Sequence, residues 1–377
     1  MQVKHLHIVS FNIPYPADYG GVIDVFHKLR TLHAEGIKII LHCFEYGRIE
    51  APELLQYCER VYYYKRKTGI LRQFHYLPYI VSTRSSEELI QNLLKDEYPI
   101  LFEGLHTCYA LSDKRLQHRL KIYRESNIEH QYYFHLFKAE KSIRDKVFFL
   151  VESLRLYFFQ KQLQHANKML VVSESDTNYL KKHFPNKDIQ FLPSFIPNDD
   201  ININTGRGEY ALYHGDLSVA ENYNAAKFLI DDVFSGIETP FIIAGHNPPA
   251  FLMEKALKYK HIHIIPNPDS GRMSELLHNA HVNVLYTKQA TGLKLKLLNA
   301  LYNGRFCLVN DKMLSGTYLH ELCETGNTAE EMRQKLKELF TKEFSAQDIE
   351  TRRKVLSANY SNKEKAKKLI QCIFGSL

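Results

Sequence analysis

The chain has 377 residues and a formal charge of +7, with a sequence pI of about 8.8. That length allows two or three domains, each with its own core, and an apolar share of 45% excludes a disordered chain. Positive charge favours anionic partners such as nucleotide diphosphates, anionic lipid or sugar acids. The basic residues are dispersed outside Arg60 to Arg72, so nucleic acid is not expected as a partner.

Six cysteines (Cys43, Cys58, Cys108, Cys307, Cys323 and Cys372) form no C-x-x-C pair. Neither a disulfide framework nor a structural zinc site is expected. The histidines lack the spacing of a metal cluster, and no H-E-x-x-H occurs. Val3 to Ser10 already reads as core, with no signal peptide before it, and no apolar run approaches the length of a membrane span. The expectation is a cytoplasmic protein, with peripheral attachment to the inner face of the cell membrane left open.

In chain order, His5 to Phe11 is mostly apolar and reads as a buried parallel strand. The loop Asn12 to Gly21 follows, then a helix over Val22 to Ala34 with Val22, Val25, Phe26 and Leu29 on one side, ended by Gly36. Ile37 to Phe44 is the second strand, which completes the opening unit of an α/β fold. Val61–Tyr64, Pro99–Glu103, Lys121–Tyr123 and Met169–Ser173 read as further strands. Phe134 to Ala166 has helical apolar spacing and no Pro or Gly, so it is one or two helices. Ser175 or Asp176 is placed to cap the next helix.

The pattern pauses from Pro185 to Gly208, a stretch rich in Pro, Asn and Asp, and restarts at Tyr210. Tyr210–His214, Phe241–Ala244, Ile262–Ile265, Val282–Tyr286 and Arg305–Val309 read as strands. Asn222–Ile230, Met273–Asn279 and Lys294–Tyr302 read as helices, and Ala329 to Phe374 as mostly helical. Two α/β domains follow: 1–198, a linker at 199–208, and 209–350. The helical segment 351–377 either returns to the first domain or caps the second.

Ligands of open α/β sheets gather beyond the carboxyl ends of the strands. In the first domain that selects Asp18, Gly20 and Gly21, then Glu103 to His106, then Asn127 to His130. In the second it selects His214 to Asp216, Gly245 and His246, and Tyr286 to Lys296. Gly20-Gly21 permits close backbone approach or a plain tight turn; it is not a dinucleotide fingerprint, and no P-loop motif is present. Thr291-Gly292-Leu293-Lys294-Leu295-Lys296 follows a strand and opens a helix. Free N–H groups and the helix dipole there favour phosphate, and two lysines would offset a diphosphate. Positions two apart diverge on a helix, so one lysine faces the ligand and the other faces solvent. A solvated amphipathic helix gives the same pattern.

These features together resemble the GT-B glycosyltransferases, in particular glycosyltransferase family 4. Pro16 to Gly21 is similar to that family's proline and double-glycine loop on the acceptor side. Asn127-Ile128-Glu129-His130 resembles a signature of one subset, which has His-Asn before Ile-Glu-His where this chain has Ser126. His214-Gly215-Asp216, with Asn222 and Asn224, resembles the glycine loop below the donor phosphates, and Ala244 to Pro248 the next strand-end motif. Many members carry two glutamates eight positions apart in the donor segment. Thr291 and Asn299 stand there instead, while Lys296 matches the lysine of a neighbouring subgroup.

The resemblance implies two Rossmann-like domains with parallel sheets facing across a cleft. It implies a hexosyltransferase-type enzyme using an NDP-sugar, UDP or GDP favoured, with no cofactor and no metal. Donor contacts would be Gly215, Asp216, Gly245, His246, Thr291, Gly292, Lys294, Lys296 and Asn299. Lys296 would meet the leaving group, and His106, Glu129 and His130 would stand near the transferred sugar, Glu129 as a charge able to stabilise an oxocarbenium-like centre. Asp18, Gly20, Gly21 and Asn127 would form the acceptor-side loop. The acceptor would be a glycan or lipid-linked saccharide of bacterial surface polysaccharide or lipopolysaccharide synthesis, with retained configuration. A nucleotide-sugar 2-epimerase and an inactive nucleotide-sugar-binding scaffold share this architecture and stay as alternatives.

The aromatic runs Tyr62–Tyr64, Val147–Leu150 and Leu156–Phe159 lie near Lys65–Lys67, Leu71 and Phe74. They are either core plus one exposed loop, or a face for an anionic membrane surface.

Overall fold

The computed structural model describes residues 3–69, 72–73, 75–140, 142–288 and 295–375. The described chain divides into two compact units. The first comprises 3–197 and 360–375, and the second 198–288 and 295–359.

In the first unit, seven strands form one sheet: β1 (His5–Ser10), β2 (Lys38–Glu45), β3 (Arg60–Lys65), β4 (Ile100–Glu103), β5 (Lys121–Glu125), β6 (Lys168–Val171) and β7 (Asp188–Phe191). Their order is β3-β2-β1-β4-β5-β6-β7, and every pair is parallel. The central strands β1, β4 and β5 are buried nearly throughout because both faces are covered, and β5 takes Lys121, Arg124 and Glu125 inside with it. One face packs Val9, Phe102, Tyr123 and Met169 beneath Leu89, Leu93 and Leu156; the other packs Leu6, Ile8, Leu41 and Leu101 against Leu29 and Leu369.

The helices of this unit are α1 (Gly20–Ala34), α2 (Tyr79–Ser82), α3 (Glu87–Leu93), α4 (Glu129–Ala139), α5 (Ile143–Phe159) and α6 (Glu174–His183). Ser173, rather than Ser175 or Asp176, caps α6, its side chain accepting from the Asp176 amide. Strand β7 lies in the stretch read from sequence as a pause. It is only four residues long and sits between Pro185 and Pro193.

The second unit carries six parallel strands: β8 (Tyr210–His214), β9 (Phe241–Gly245), β10 (Ile262–Pro266), β11 (Ala280–Leu285), β12 (Phe306–Val309) and β13 (Glu324–Thr325). Their order is β10-β9-β8-β11-β12-β13. Its helices are α7 (Ala220–Phe228), α8 (Ala250–Ala256), α9 (Ser270–Asn279), α10 (Leu295–Asn303), α11 (Asp311–Leu314), α12 (Ala329–Thr341) and α13 (Ala346–Tyr360). The last helix, α14 (Asn362–Phe374), packs on α1 in the first unit. Its Asn362 exchanges hydrogen bonds with both backbone groups of Ile196 (3.1 and 2.7 Å), and Lys365 donates to the Ser194 carbonyl at 2.6 Å. Among the described residues no helix is long and apolar enough to cross a membrane.

Buried charge holds the first unit's centre. Lys28 Nζ of α1 lies 2.6 Å from Glu103 Oε1 of β4 and 3.3 Å from Asp24 Oδ2, and Arg124 of β5 lies 3.6 Å from the same Asp24 oxygen. Burial raises the Glu103 carboxyl against the pull of Lys28. Asp24 is held low despite burial, by Lys28 and Arg124. The network ties α1, which opens at Gly20-Gly21, to the strand that leads to His106.

Candidate functional site

In the second unit, the tips of β8 and β9 meet backbone to backbone. The Gly215 amide donates to the Ala244 carbonyl at 3.1 Å. A Cβ on Gly245 would lie 1.8 Å from the Gly215 carbonyl oxygen, so no larger residue fits there. After Gly215 the loop is fixed by its own side chains. Asp216 Oδ1 accepts from the Ser218 amide (3.0 Å) and hydroxyl (2.6 Å), and Asn222 Nδ2 donates to the Asp216 carbonyl at 2.8 Å. Asp216 is thereby committed to loop structure, and its position among the predicted donor contacts is beside this turn.

Lys296, in the first turn of α10, reaches the same loop. Its Nζ donates to Asn222 Oδ1 at 3.1 Å and stands 5.3 Å from the centre of the Tyr213 ring. The Tyr213 hydroxyl donates to the Asn222 carbonyl at 3.1 Å. Beside them, burial and then the Lys296 charge push the His214 imidazole down to about 3, so it is neutral at physiological pH. His214 Nε2 is buried with no hydrogen-bond partner among the described residues. Asn299, one turn beyond Lys296, receives Asn303 Nδ2 on its side-chain oxygen at 2.8 Å. His246 is exposed, its Nδ1 3.3 Å from Asn267 Oδ1. Thr291, Gly292 and Lys294 lie outside the described residues.

A second polar constellation at this strand end joins Thr287 to two partners, Glu221 and Asn310, that were not read from sequence. Thr287, just after β11, donates its hydroxyl to Glu221 of α7. Its backbone is bracketed by Asn310 after β12, amide to Oδ1 at 3.2 Å and carbonyl to Nδ2 at 2.8 Å. The strand-tip rule selects Thr287 within the stretch after β11, but not Asn310; Glu221 carries no local signal.

In the first unit the structure gathers Gly21, Phe11, His106, Glu129 and Arg84. A Cβ on Gly21 would lie 2.5 Å from Phe11 Cζ. The Phe11 ring packs on His106 with centroids 5.4 Å apart. His106 Nδ1 is 3.8 Å from Glu129 Oε1. Arg84 donates Nε to the Phe11 carbonyl at 2.8 Å and Nη1 to Ile80 at 2.7 Å. Gly104, with φ +72°, supplies the turn that presents His106. Arg84 was missed because it lies in no strand-end loop.

Burial dominates the electrostatics here. It pushes Glu129 up to about 8, with Arg84 pulling back only partly, and it holds the His106 imidazole well below its usual range, with Arg84 and Arg66 adding to the effect. Burial and Arg66 bring Arg84 down to about 9. At neutral pH the carboxyl and the imidazole are therefore both uncharged hydrogen-bonding groups. Burial thus works against the charge expected on Glu129 from sequence, because the low-dielectric surroundings outweigh the pull of Arg84.

His130 turns elsewhere. Its ring packs edge-on against Tyr157 and lies 3.4 Å from the Tyr179 hydroxyl. Asn127 follows β5, where its backbone hydrogen-bonds the buried Glu125 carboxylate. Gly20 opens α1. Asp18 is ion-paired with Arg48, which also donates to the Pro16 carbonyl. These two border a cavity of about 930 Å³ whose rim includes Tyr15, Glu45, Glu50 and Glu53.

The two parallel sheets with flanking helices define the GT-B glycosyltransferase fold, which solved structures of that class share over the whole chain. TarM superposes with a TM-score of 0.67 at 10% identity, covering 99% of each chain. WaaG, a glycosyltransferase involved in lipopolysaccharide biosynthesis, superposes at 0.64 with 13% identity, covering 99% of this chain and 100% of that one. TarM from S. aureus has also been solved with UDP, fondaparinux and α-GlcNAc-glycerol. In sequence, the chain is 26% identical over 334 residues to an uncharacterized 44.6 kDa protein in the cps region of Klebsiella pneumoniae, covering 82% of this chain and 84% of that one. No protein-family model matches.

Proposed function

We propose that the protein is a glycosyltransferase that moves a hexose from an NDP-sugar, UDP- or GDP-linked, to a glycan or lipid-linked saccharide. The observation that carries this reading is the Lys296–Asn222 contact above the fused Gly215–Gly245 turns. A fixed cation beside bare backbone at the carboxyl end of a parallel sheet suits a diphosphate. In the reaction, the bond between the anomeric carbon and the diphosphate oxygen breaks. The acceptor oxygen bonds that carbon with retained configuration, and its proton passes to the oxygen of the departing diphosphate. Lys296 offsets the charge that grows on the departing diphosphate. Asn299 turns towards the ribose hydroxyls. On the first unit, His106 and Glu129 hold sugar or acceptor hydroxyls.

The likeness to a lipopolysaccharide glycosyltransferase and to a protein of a cps region supports a place in bacterial surface polysaccharide assembly. We place the protein in the cytoplasm, attached peripherally to the inner face of the membrane.

A melting-temperature panel with UDP, GDP, CDP, ADP and their sugars tests the donor, since binding to the native state alone raises apparent stability. The reading requires one nucleotide series to raise the transition and transfer to a saccharide acceptor to follow. Interconversion of a UDP-N-acetylhexosamine without any acceptor would assign an epimerase instead. Donor binding without transfer across an acceptor panel would assign a scaffold.

A further inference from the structure

Helix α5 turns an apolar stripe outward. Ile143, Val147, Val151, Leu154 and Phe158 recur at spacings of three and four, which places them on one face. Ile143 is 81% exposed, Val147 57%, Leu154 54% and Phe158 62%. The helix is held by its other side, where Glu152, Ser153 and Leu156 are buried. Glu152 accepts the Tyr79 amide at 2.6 Å, and Ser153 donates to the His130 carbonyl at 2.7 Å. Single exposed apolar residues are ordinary on a protein surface, whereas a continuous stripe marks an interaction face.

The charges around the stripe are ordered. At 100° per residue, Arg144 and Lys146 fall on its two borders and Asp145 on the far side. Lys161 Nζ stands 5.8 Å over the Phe158 ring, and on neighbouring α4 Lys138 Nζ stands 4.6 Å over Phe134, itself exposed. Each lysine thus holds its ammonium over an exposed aromatic ring, a cation beside an apolar surface.

We propose that this face of α5, with Phe134 of α4, is the surface on which the protein docks onto an anionic lipid bilayer. An apolar centre bordered by cations is the pattern of a helix lying in a membrane interface, with its rings among the acyl chains and its cations at the headgroups. A second copy of this chain fits the face less well. A two-fold contact is self-complementary only when each patch meets its own kind, and that would set Arg144, Lys146 and Lys161 of one copy against those of the other. The inference deepens the peripheral attachment proposed above and does not depend on the sugar chemistry.

The test is co-flotation of the full chain with phosphatidylcholine vesicles with and without phosphatidylglycerol, across a salt series, with no donor or acceptor present. The native protein is expected to float with the anionic vesicles, and the neutral ones to bind at least about tenfold more weakly. Leu154→Glu with Phe158→Glu removes binding at every salt concentration. Arg144→Gln, Lys146→Gln and Lys161→Gln together lower it only at low salt, by roughly fivefold per cation. All these side chains are at the surface, so the melting temperature and the donor-induced shift stay at native values. Native protein left behind by anionic vesicles at low salt would overturn the proposal, as would variants that float like the native chain. Self-association of the native chain that the Leu154→Glu, Phe158→Glu pair abolishes would assign the face to a second copy and overturn it too. A failed donor panel beside intact vesicle binding would leave the docking face standing and remove only the glycosyltransferase reading.

Discussion

Lys296 Nζ and Asn222 Oδ1 are 3.1 Å apart, joining the first turn of α10 to the first turn of α7, which follows the β8 loop. The contact costs little to remove, because Lys296 is half-buried and the Asn222 amide keeps its own bond to the Asp216 carbonyl. Lys296→Ala is expected to lower kcat/KM by about 100-fold or more, the range for losing one preorganised charge-stabilising donor. Stability should change by no more than about 0.5 kcal/mol. Steady-state kinetics with a denaturant melt separate the two, and near-native turnover would remove Lys296 from the leaving-group role.

Glu129 makes stability depend on pH in a set direction. Its carboxyl is raised from an ordinary 4.5 to about 8 in the folded chain. The folded state therefore holds a proton that the unfolded chain has released, and this contribution is fully present below pH 4.5. It is lost as pH rises towards and through about 8. Glu129→Gln should remove that slope. Relative to the variant, the native chain loses several kcal/mol between those limits. Parallel urea melts of the two proteins across the window measure it, and matching slopes would show that the carboxyl is not protonated at rest.

Gly245 tests the second unit's strand tips by steric means. Alanine there would place a methyl group within bonding range of the Gly215 carbonyl, and the obstacle is backbone rather than a movable side chain. Gly245→Ala is expected to cost about 3 kcal/mol or more and to abolish any nucleotide-induced rise in melting temperature. Gly21→Ala meets the Phe11 ring instead, which can yield. It should fold with a smaller loss and reduce turnover through the displaced His106. Calorimetry and kinetics on the two variants distinguish a structural glycine from one that positions a side chain.

Lys28→Met leaves Glu103 and Asp24 buried without their closest cation, with Arg124 and Lys365 still acting on Asp24. A loss of about 3–5 kcal/mol is expected, the cost of an uncompensated buried charge. Adding Glu103→Leu should restore much of it, because the apolar pair no longer strands a carboxylate. A double-mutant cycle by denaturant unfolding reads the coupling.

The parallel α/β character of both units was legible because short, mostly apolar strands alternate with stretches of helical spacing. Strand order was not, since pairing is decided by contacts far apart in sequence. β7 escaped notice because Asp188–Phe191 offers four residues of weak pattern between two prolines. The glycine loops and Lys296 were found because backbone freedom and helix starts leave a local trace. The charge state of Glu129 left none, because it is set by burial and by Arg84, which arrives from α2's far end. The apolar spacing of α5 was equally visible, yet spacing names a face without saying what covers it.

The placement of α14 bears on how the molecule is made. Ribosomes deliver β1 to β7 early, but the surface of α1 that α14 covers stays bare until every residue of the second unit has been synthesised. Completion of the first unit is thus postponed until the second unit has been made. A nonsense codon near residue 360 would be read as a lesion of the half of the molecule encoded first.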